Sequence, residues 1–304
     1  MSTPADPLVS IVVPSYNQGR YIARTLDSIL AQDYRPLEIV VMDGGSKDET
    51  VAVLEDYARR HPELRWVSEK DRGVAHAVNK GLAAARGTLV GIQSSDDIYY
   101  AGAIRLAVET FRRQPELGLV YGDSGAIDVH DHLLWRSHWA PFSIEKFLLG
   151  TSKIPQASAF FRLDLARELQ GWREEYFICD YEFWLRLMFR APALKLDALM
   201  SAARLHEVRR DHQTRKIWDS YWKMVRESRE LQRAPARLRR AAHAGAHSLV
   251  LRHSPYASQW RVAWHCWLAL LSHPGVWPAL RPRRRLLPWP TADQTRAAGS
   301  GDTA

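Results

Sequence analysis

Carboxylates stand at four places along this chain where their neighbours could make them chemically useful. Asp43 begins Asp43-Gly44-Gly45-Ser46-Lys47-Asp48 directly after the apolar run Leu37–Met42. Asp71-Arg72-Gly73 comes shortly after Leu64–Val67, Ser94-Ser95-Asp96-Asp97 follows Thr88–Ile92, and Asp180-Tyr181-Glu182 begins a helical stretch. Acids that follow short buried strands emerge at the carboxyl edge of a parallel sheet, where open α/β sheets bind ligands. Gathered there, they suit a divalent cation and the hydroxyls or base N–H groups of a nucleotide, and they do not suit bare phosphate. Asp96 and Asp97 repel each other unless something positive sits between them. Mg²⁺ or Mn²⁺, held by one or two carboxylates and diphosphate oxygens, meets that need and acts as a Lewis acid when a nucleoside diphosphate leaves. The plain alternative is a surface turn.

Single residues carry weaker signals. Tyr16, in the loop Ser15-Tyr16-Asn17, offers a ring on which any base can stack, although a tyrosine after a strand is more often packing. Asp43 is flanked by Gly44 and Gly45, which let a ligand approach the backbone; Asp48 already serves as cap of the next helix, so Asp43 is expected to be free for a ligand. Asp71 is either a helix cap or a nucleotide contact. Asp180 suits a helix N-terminus electrostatically and, as a general base, would take a proton from an attacking hydroxyl. His206 is a candidate ligand for a metal or a diphosphate, against the commoner structural role of a lone histidine.

The elements that must position these groups are legible from periodicity. Ser10–Pro14 reads as a buried parallel strand, and Ile22, Leu26, Ile29 and Leu30 place a helix over Tyr21–Leu30. The strand Leu37–Met42 leads to a helix opened by Asp48, with Val51, Leu54 and Ala58 inward. Leu64–Val67, a helix over Val74–Ala85 ended by Gly87, and the strand Thr88–Ile92 complete a β-α-β-α alternation with right-handed crossovers. A helix over 102–113, the strand Leu119–Gly122, a turn-rich stretch to Gly150, a strand over Gln156–Phe161 and a helix over Asp180–Phe189 follow. Beyond Ile217 the pattern is helical until prolines break it, and the last residues read as disordered.

The chain has 304 residues, 46% hydrophobic and 25% charged, as in an ordinary soluble globular protein. Its two cysteines cannot form a disulfide framework and point to a reducing compartment. The N-terminal residues lack a secretory pattern, and Val262–Leu271 is far shorter than the roughly 20 residues a membrane span needs. A cytoplasmic location is therefore expected. The net charge of +8 is concentrated from Arg204 onward, which suggests an anionic partner surface; a solvated helical face is the alternative. No G-x-G-x-x-G follows the first strand, against a dinucleotide oxidoreductase. Pro14-Ser15-Tyr16-Asn17-Gln18-Gly19 lacks the basic Gly-rich phosphate loop of a nucleotidyltransferase.

Taken in order, Ser10–Asn17, Glu38–Asp48, Asp71-Arg72-Gly73 with Asn79-Lys80-Gly81, Ser95-Asp96-Asp97 and Asp180–Arg186 resemble family-2 glycosyltransferases, inverting enzymes that use nucleoside-diphosphate sugars. The likeness runs over roughly residues 7–214. It implies an α/β fold of GT-A type: a mostly parallel nucleotide-binding sheet flanked by helices, with a helical C-terminal extension. By the resemblance Pro14, Tyr16, Asp43 and Asp71 line the nucleotide pocket, and Asp96 is the metal-binding acid of an Asp-X-Asp element with Asp97 beside it. Asp180 is then the base, His206 lies near the diphosphate, and Gln156 sits on the acceptor side. Ser94, Cys179 and His76 depart from the family pattern, each standing where an acid is common. The implied organisation is a donor half over 1–100, an acceptor and catalytic half over 101–214, and a basic, Trp-rich helical region over 215–304.

The implied cofactor is Mg²⁺ or Mn²⁺, the donor a nucleoside-diphosphate sugar, and the acceptor a glycan or lipid-linked glycan of surface polysaccharide; nucleic acid is not expected as a partner. An inactive nucleotide- or glycan-binding module of the same fold is the alternative, which the presence of both Asp96 and Asp180 disfavours. In the C-terminal region Trp218, Trp222, Trp260, Trp264, Trp267, Trp277 and Trp289 accompany arginines such as Arg281-Pro282-Arg283-Arg284-Arg285. Amphipathic rings beside basic groups suit the headgroup layer of an anionic membrane, so peripheral docking on the inner leaflet is expected. The competing expectation is a helical appendage with its tryptophans in the core.

Overall fold

The computed structural model describes residues 6–139, 141–206, 213–249 and 259–280. The basic run 281–285, Trp289 and the chain end read as disordered lie outside the described residues. The sheet contains β1 (Val9–Ser15), β2 (Leu37–Asp43), β3 (Leu64–Ser68), β4 (Leu89–Ile92), β5 (Ile98–Tyr99), β6 (Leu119–Ile127), β7 (Leu133–Arg136), β8 (Ala159–Arg162) and β9 (Ala193–Arg204). Its order is β3-β2-β1-β4-β8-β6-β9-β5, with β7 paired to β6. The first four strands are mutually parallel, as expected. β8 then runs antiparallel to both β4 and β6, so the second half is mixed.

The strand order explains where a ligand belongs. The chain builds outward from β1 to β2 and β3, then returns to place β4 on the other side of β1. The crevice at such a reversal, beyond the carboxyl ends of β1 and β4, is the binding position of open α/β sheets. Ser15-Tyr16 and Ser94–Asp97 are the residues that emerge there.

Two apolar layers sandwich the sheet. Ile11 and Val13 face one layer with α1 (Ile22–Leu30), α2 (Thr50–Arg60) and α4 (Ala103–Arg113). Val12, between them, faces the other layer with α3 (Val74–Ala84), α5 (Ile144–Leu148), α6 (Leu163–Glu168) and α7 (Cys179–Met188). This is the period-two alternation of a strand buried on both faces. In α1 the buried residues are Ile22, Thr25, Leu26 and Ile29, one stripe at helical spacing. In α2 the inward set is Thr50, Leu54 and Tyr57; Val51 and Ala58 are only half-buried.

Several expectations shift in detail. β1 continues through Pro14 to Ser15, and residues 156–158 form a 3-10 turn before β8. β9, the longest strand, was not visible as an apolar run because eight of its 12 residues stay at least partly exposed. The C-terminal helices α8 (Thr214–Glu227), α9 (Arg229–Arg233) and α10 (Ala236–Ser248) bury Met224, Val225, Leu231 and Ala242 in the same apolar cluster as Phe147, Phe183 and Trp184.

Candidate active site

The loops after β1 and β2 are stitched together by backbone donors and short polar side chains. Asn17, at φ 52°, donates its N–H to the Ser46 hydroxyl (2.7 Å) and accepts the Lys47 N–H on Oδ1 (2.9 Å). Gln18 donates to Thr50 Oγ1 (2.9 Å) and Gly19 to Asp48 Oδ2 (2.9 Å). Asp48 also accepts the Thr50 N–H (3.0 Å), but it is not the cap expected: it stands one residue before that position, which Glu49 holds.

Asp43 is not the free carboxylate that the sequence suggests. It is fully buried; Oδ2 accepts from the Gly45 N–H (3.1 Å), the Ser46 N–H (2.9 Å) and the Ser68 hydroxyl (2.6 Å), and Oδ1 from the Ser46 hydroxyl (2.5 Å). The reason is proximity: a carboxylate followed by two glycines folds its own loop back before any ligand arrives. Spare acceptor capacity remains on Oδ1, which takes a single bond.

Tyr16, Gly44 and Asp71 meet at one point. A methyl group placed on Gly44 would lie 2.7 Å from Asp71 Oδ2 and 3.2 Å from Tyr16 Cδ2. The absent side chain therefore lets the loops from β1, β2 and β3 converge, with the Tyr16 ring 59% exposed above them. Asp71 is not the helix cap, which is Gly73; its Oδ1 accepts the Gly73 N–H (2.8 Å) in the turn ahead of α3. The neighbouring Arg72 makes a two-pronged ion pair with Glu174 (2.9 and 2.7 Å), tying this edge to the segment before α7. Pro14 is buried within β1.

Asp96 and Asp97 point to different tasks. Asp97 is buried; its Oδ1 accepts the Arg204 N–H (2.9 Å) and its carbonyl accepts the Thr25 hydroxyl (2.8 Å), fastening β9 and α1 to the end of β4. Asp96 keeps its carboxylate 20% exposed, with Oδ2 only 2.8 Å from His206 Nε2. The His206 ring packs beside Tyr21, centroids 5.1 Å apart. Among the described residues no lysine or arginine pairs with the Asp96 carboxylate. The structure thus brings together Asp96 and His206, and separates Asp97 from them by the alternation of neighbouring side chains at a strand end.

Arg204 is the residue that sequence reasoning left without a role. It is fully buried; its Nε donates to Asp96 O (2.9 Å), Nη1 to Asp128 O (3.0 Å), and Nη2 pairs with Asp131 (2.5 Å). It holds the Asp96 backbone and positions the residue two places on, His206. An arginine just before a leucine-histidine pair was the only available signal.

Gln156 reaches the same edge: Nε2 donates to Ile92 O (2.6 Å), and Oε1 lies 3.4 Å from the Ser94 hydroxyl. Asp180 occupies the first turn of α7, half-buried, and among the described residues its carboxylate has no hydrogen-bond partner. The helix behind it is rigidly anchored. Glu182 pairs with fully buried Arg186 (2.8 Å) and with Arg173 (2.9 Å), and Arg186 also donates to the carbonyls of Leu169 (2.5 Å) and Gly171 (2.6 Å). Asn79 clasps the backbone of Trp172 with two bonds of 2.7 Å.

A second group of ligand-type residues lies on β6, on β9 and just after β7. Asp123, His138 and Asp197 bring ligand atoms within 4.8 Å of one another. Lys195 (3.0 Å) and Arg136 (3.2 Å) already pair with buried Asp123, so a metal ion would compete with two cations there. Burial pushes the Asp123 carboxyl up, but hydrogen bonds from Lys195 and His138 outweigh it and hold the group below the usual carboxylate range.

At this edge of the reversing α/β sheet an acid from the turn after β4 meets a histidine from just beyond β9. The chain belongs to glycosyltransferase family 2: the family described as Glycosyl transferase family 2 matches residues 10–168. It is 31% identical over 202 residues to the chondroitin synthase of Escherichia coli, covering 66% of this chain and 29% of that one. It is also 31% identical over 183 residues to the hyaluronan synthase of Pasteurella multocida, covering 60% and 19%. The match therefore spans less than a third of either synthase. The fold is similar to mannosyltransferase PcManGT from Pyrobaculum calidifontis, solved with GDP-Man and Mn²⁺ (TM-score 0.64, 23% identity, 91% of this chain and 76% of that one). It is likewise similar to S. aureus TarS 1-349 with UDP-GlcNAc (TM-score 0.66, 17% identity, 90% and 83%). The fold is GT-A.

Proposed function

We propose that this chain is an inverting, divalent-cation-dependent glycosyltransferase that moves a sugar from a nucleoside-diphosphate sugar to a hydroxyl of a glycan or lipid-linked glycan in surface polysaccharide biosynthesis. The observation that carries the proposal is the Asp96–His206 pair at the sheet's switch point, beside the converging Tyr16, Gly44 and Asp71. The nucleotide complexes of the two GT-A neighbours and the names of the two synthases support the same reading.

Each residue then has a task. Tyr16 stacks on the base, backed by Pro14; Asp71 Oδ2 and the remaining lone pair of Asp43 Oδ1 accept from base or ribose. Asp96 and His206, one carboxylate oxygen and one imidazole nitrogen, are a donor set that fits Mn²⁺ or Mg²⁺. When bound, the cation neutralises charge on the departing diphosphate. Asp97 supports this pair through Arg204. Asp180 removes the acceptor's proton as the acceptor oxygen bonds to the anomeric carbon and the carbon–diphosphate bond breaks, and Gln156 orients the acceptor side. A single displacement inverts the anomeric centre. Residues 1–100 serve the donor and 101–214 the acceptor and base.

The experiment is a screen of nucleoside-diphosphate sugars with Mg²⁺, Mn²⁺ or chelator, reading released nucleoside diphosphate. Cation-dependent release from one donor is the expected result. Absence of release from every donor, with donor binding retained, would favour a binding module instead.

A further inference from the structure

The helix Gln259–Ser272 presents an unusual outer surface. It packs on α10 through Ala269, fully buried, and His265, whose Nδ1 is 2.9 Å from His247 Nδ1. Its opposite side carries Trp260 (87% exposed), Trp264, Trp267 and Leu271, spaced i, i+4, i+7 and i+11. That spacing is one helical face. Trp277, just beyond the helix, is also more than half exposed. The expected alternative, tryptophans in the core, holds for others: Trp218 and Trp222 pack against the apolar cluster, and Trp218 donates to Ala246 O (3.1 Å). The tryptophans of this region therefore divide into an inward pair and an outward stripe.

Charge distinguishes the occupants such a stripe could have. From Leu231 to Ala292 the sequence contains ten arginines and no aspartate, glutamate or lysine. Of these, Arg233, Arg237 and Arg240 are exposed on α9 and α10, and four more fall at 281–285, directly after the described helix Trp277–Leu280. A second copy would bring like charge to like charge. A straight apolar stripe of indoles beside acid-free, arginine-rich sequence fits a flat anionic surface: indoles sit at headgroup level, and guanidinium groups pair with phosphate. No described helix is long and apolar enough to cross a membrane, so the contact would be peripheral.

We infer that the Trp260–Trp264–Trp267–Leu271 face, with Trp277, docks this protein on an anionic phospholipid bilayer. The inference stands independently of sugar transfer. Docking would place the site beside acceptors carried on lipid.

The test is co-sedimentation of the full chain with vesicles of phosphatidylcholine alone or mixed with phosphatidylglycerol. Binding to the mixed vesicles at about 0.05 M salt, lost at about 0.5 M, is expected, with little binding to phosphatidylcholine alone. The variant Trp260→Ser/Trp264→Ser/Trp267→Ser should weaken partitioning on the order of 100-fold while its circular dichroism and donor turnover are unchanged. A separate variant, Arg281→Ser/Arg283→Ser/Arg284→Ser/Arg285→Ser, should reduce the preference for phosphatidylglycerol. The proposal is overturned by absence of vesicle binding at low salt or by full binding of the tryptophan variant. Tryptophan-dependent dimers, or oligonucleotide binding, in place of vesicle binding would overturn it equally. Vesicle binding by the unsubstituted chain without turnover of any donor would count against the transferase reading alone.

Discussion

His206 Nε2 lies 2.8 Å from Asp96 Oδ2, although 110 residues separate them. The pair exists because β9 runs beside β6, pairs with β5, and ends next to the turn after β4, where buried Arg204 fixes both strands. Asp96→Asn should lower donor turnover about 100-fold or more, as expected when charge stabilisation in a closed site is removed. His206→Ala should raise the cation concentration for half-maximal turnover roughly 10- to 100-fold. Cation titrations of nucleoside-diphosphate release measure both effects, and unchanged titration curves would remove this pair from the site.

Asp180 has a different signature. If it is the base, Asp180→Asn leaves donor affinity near wild type and lowers kcat for transfer by about 10²- to 10⁴-fold. Calorimetric donor binding beside steady-state transfer separates the two quantities. Normal turnover in this variant would assign the base elsewhere.

Gly171 tests the join between α3 and the segment leading to α7. Its φ is +66°, and a methyl group there would sit 2.2 Å from Asn79 Oδ1, inside the clasp on Trp172. Gly171→Ala therefore combines backbone strain with loss of hydrogen bonds and should cost about 3 kcal/mol. Asn79→Ala, which removes the clasp without the strain, should cost less in urea unfolding. Equal losses would mean that the positive φ is not under strain.

Glu38 lies at the start of the sheet, away from the site, and sets an acid limit on stability. Burial raises its carboxyl pKa, but hydrogen bonds from Ser10, Arg86 and Arg65 outweigh that and leave it below its ordinary 4.5. Because the folded value is depressed, the stabilisation is complete above the unfolded value and is lost as pH falls through the folded one. Glu38→Gln should cost about 1–2 kcal/mol at neutral pH and less in strong acid. Urea midpoints followed from about pH 7 to about pH 3 should converge for the two proteins; a constant gap would show that the carboxylate charge is not involved.

Much of the parallel half of the sheet was readable directly. β1, β2 and β4 are short apolar runs followed by polar loops, with acids after β2 and β4, the pattern of buried parallel strands. The motif Asp180–Arg186 was legible as a helix start, although its Glu182–Arg186 pair, buried against the carbonyls of Leu169 and Gly171, was not. β9 escaped because its residues mix exposed and buried positions, so no period stands out. Asp43 was misjudged as free because a linear reading does not show that Ser46 and Ser68 fold back onto it.

By itself the sequence determined which residues end the parallel strands, and so which side chains gather at one edge of the sheet, because strand periodicity and chain direction are local properties. The tertiary structure alone decided which of them remain available. Asp97 turns to the Arg204 backbone while Asp96 meets His206, and Trp218 turns inward while Trp260 turns out. Those choices depend on strands and helices brought together from more than a hundred residues apart, and only packing settles them.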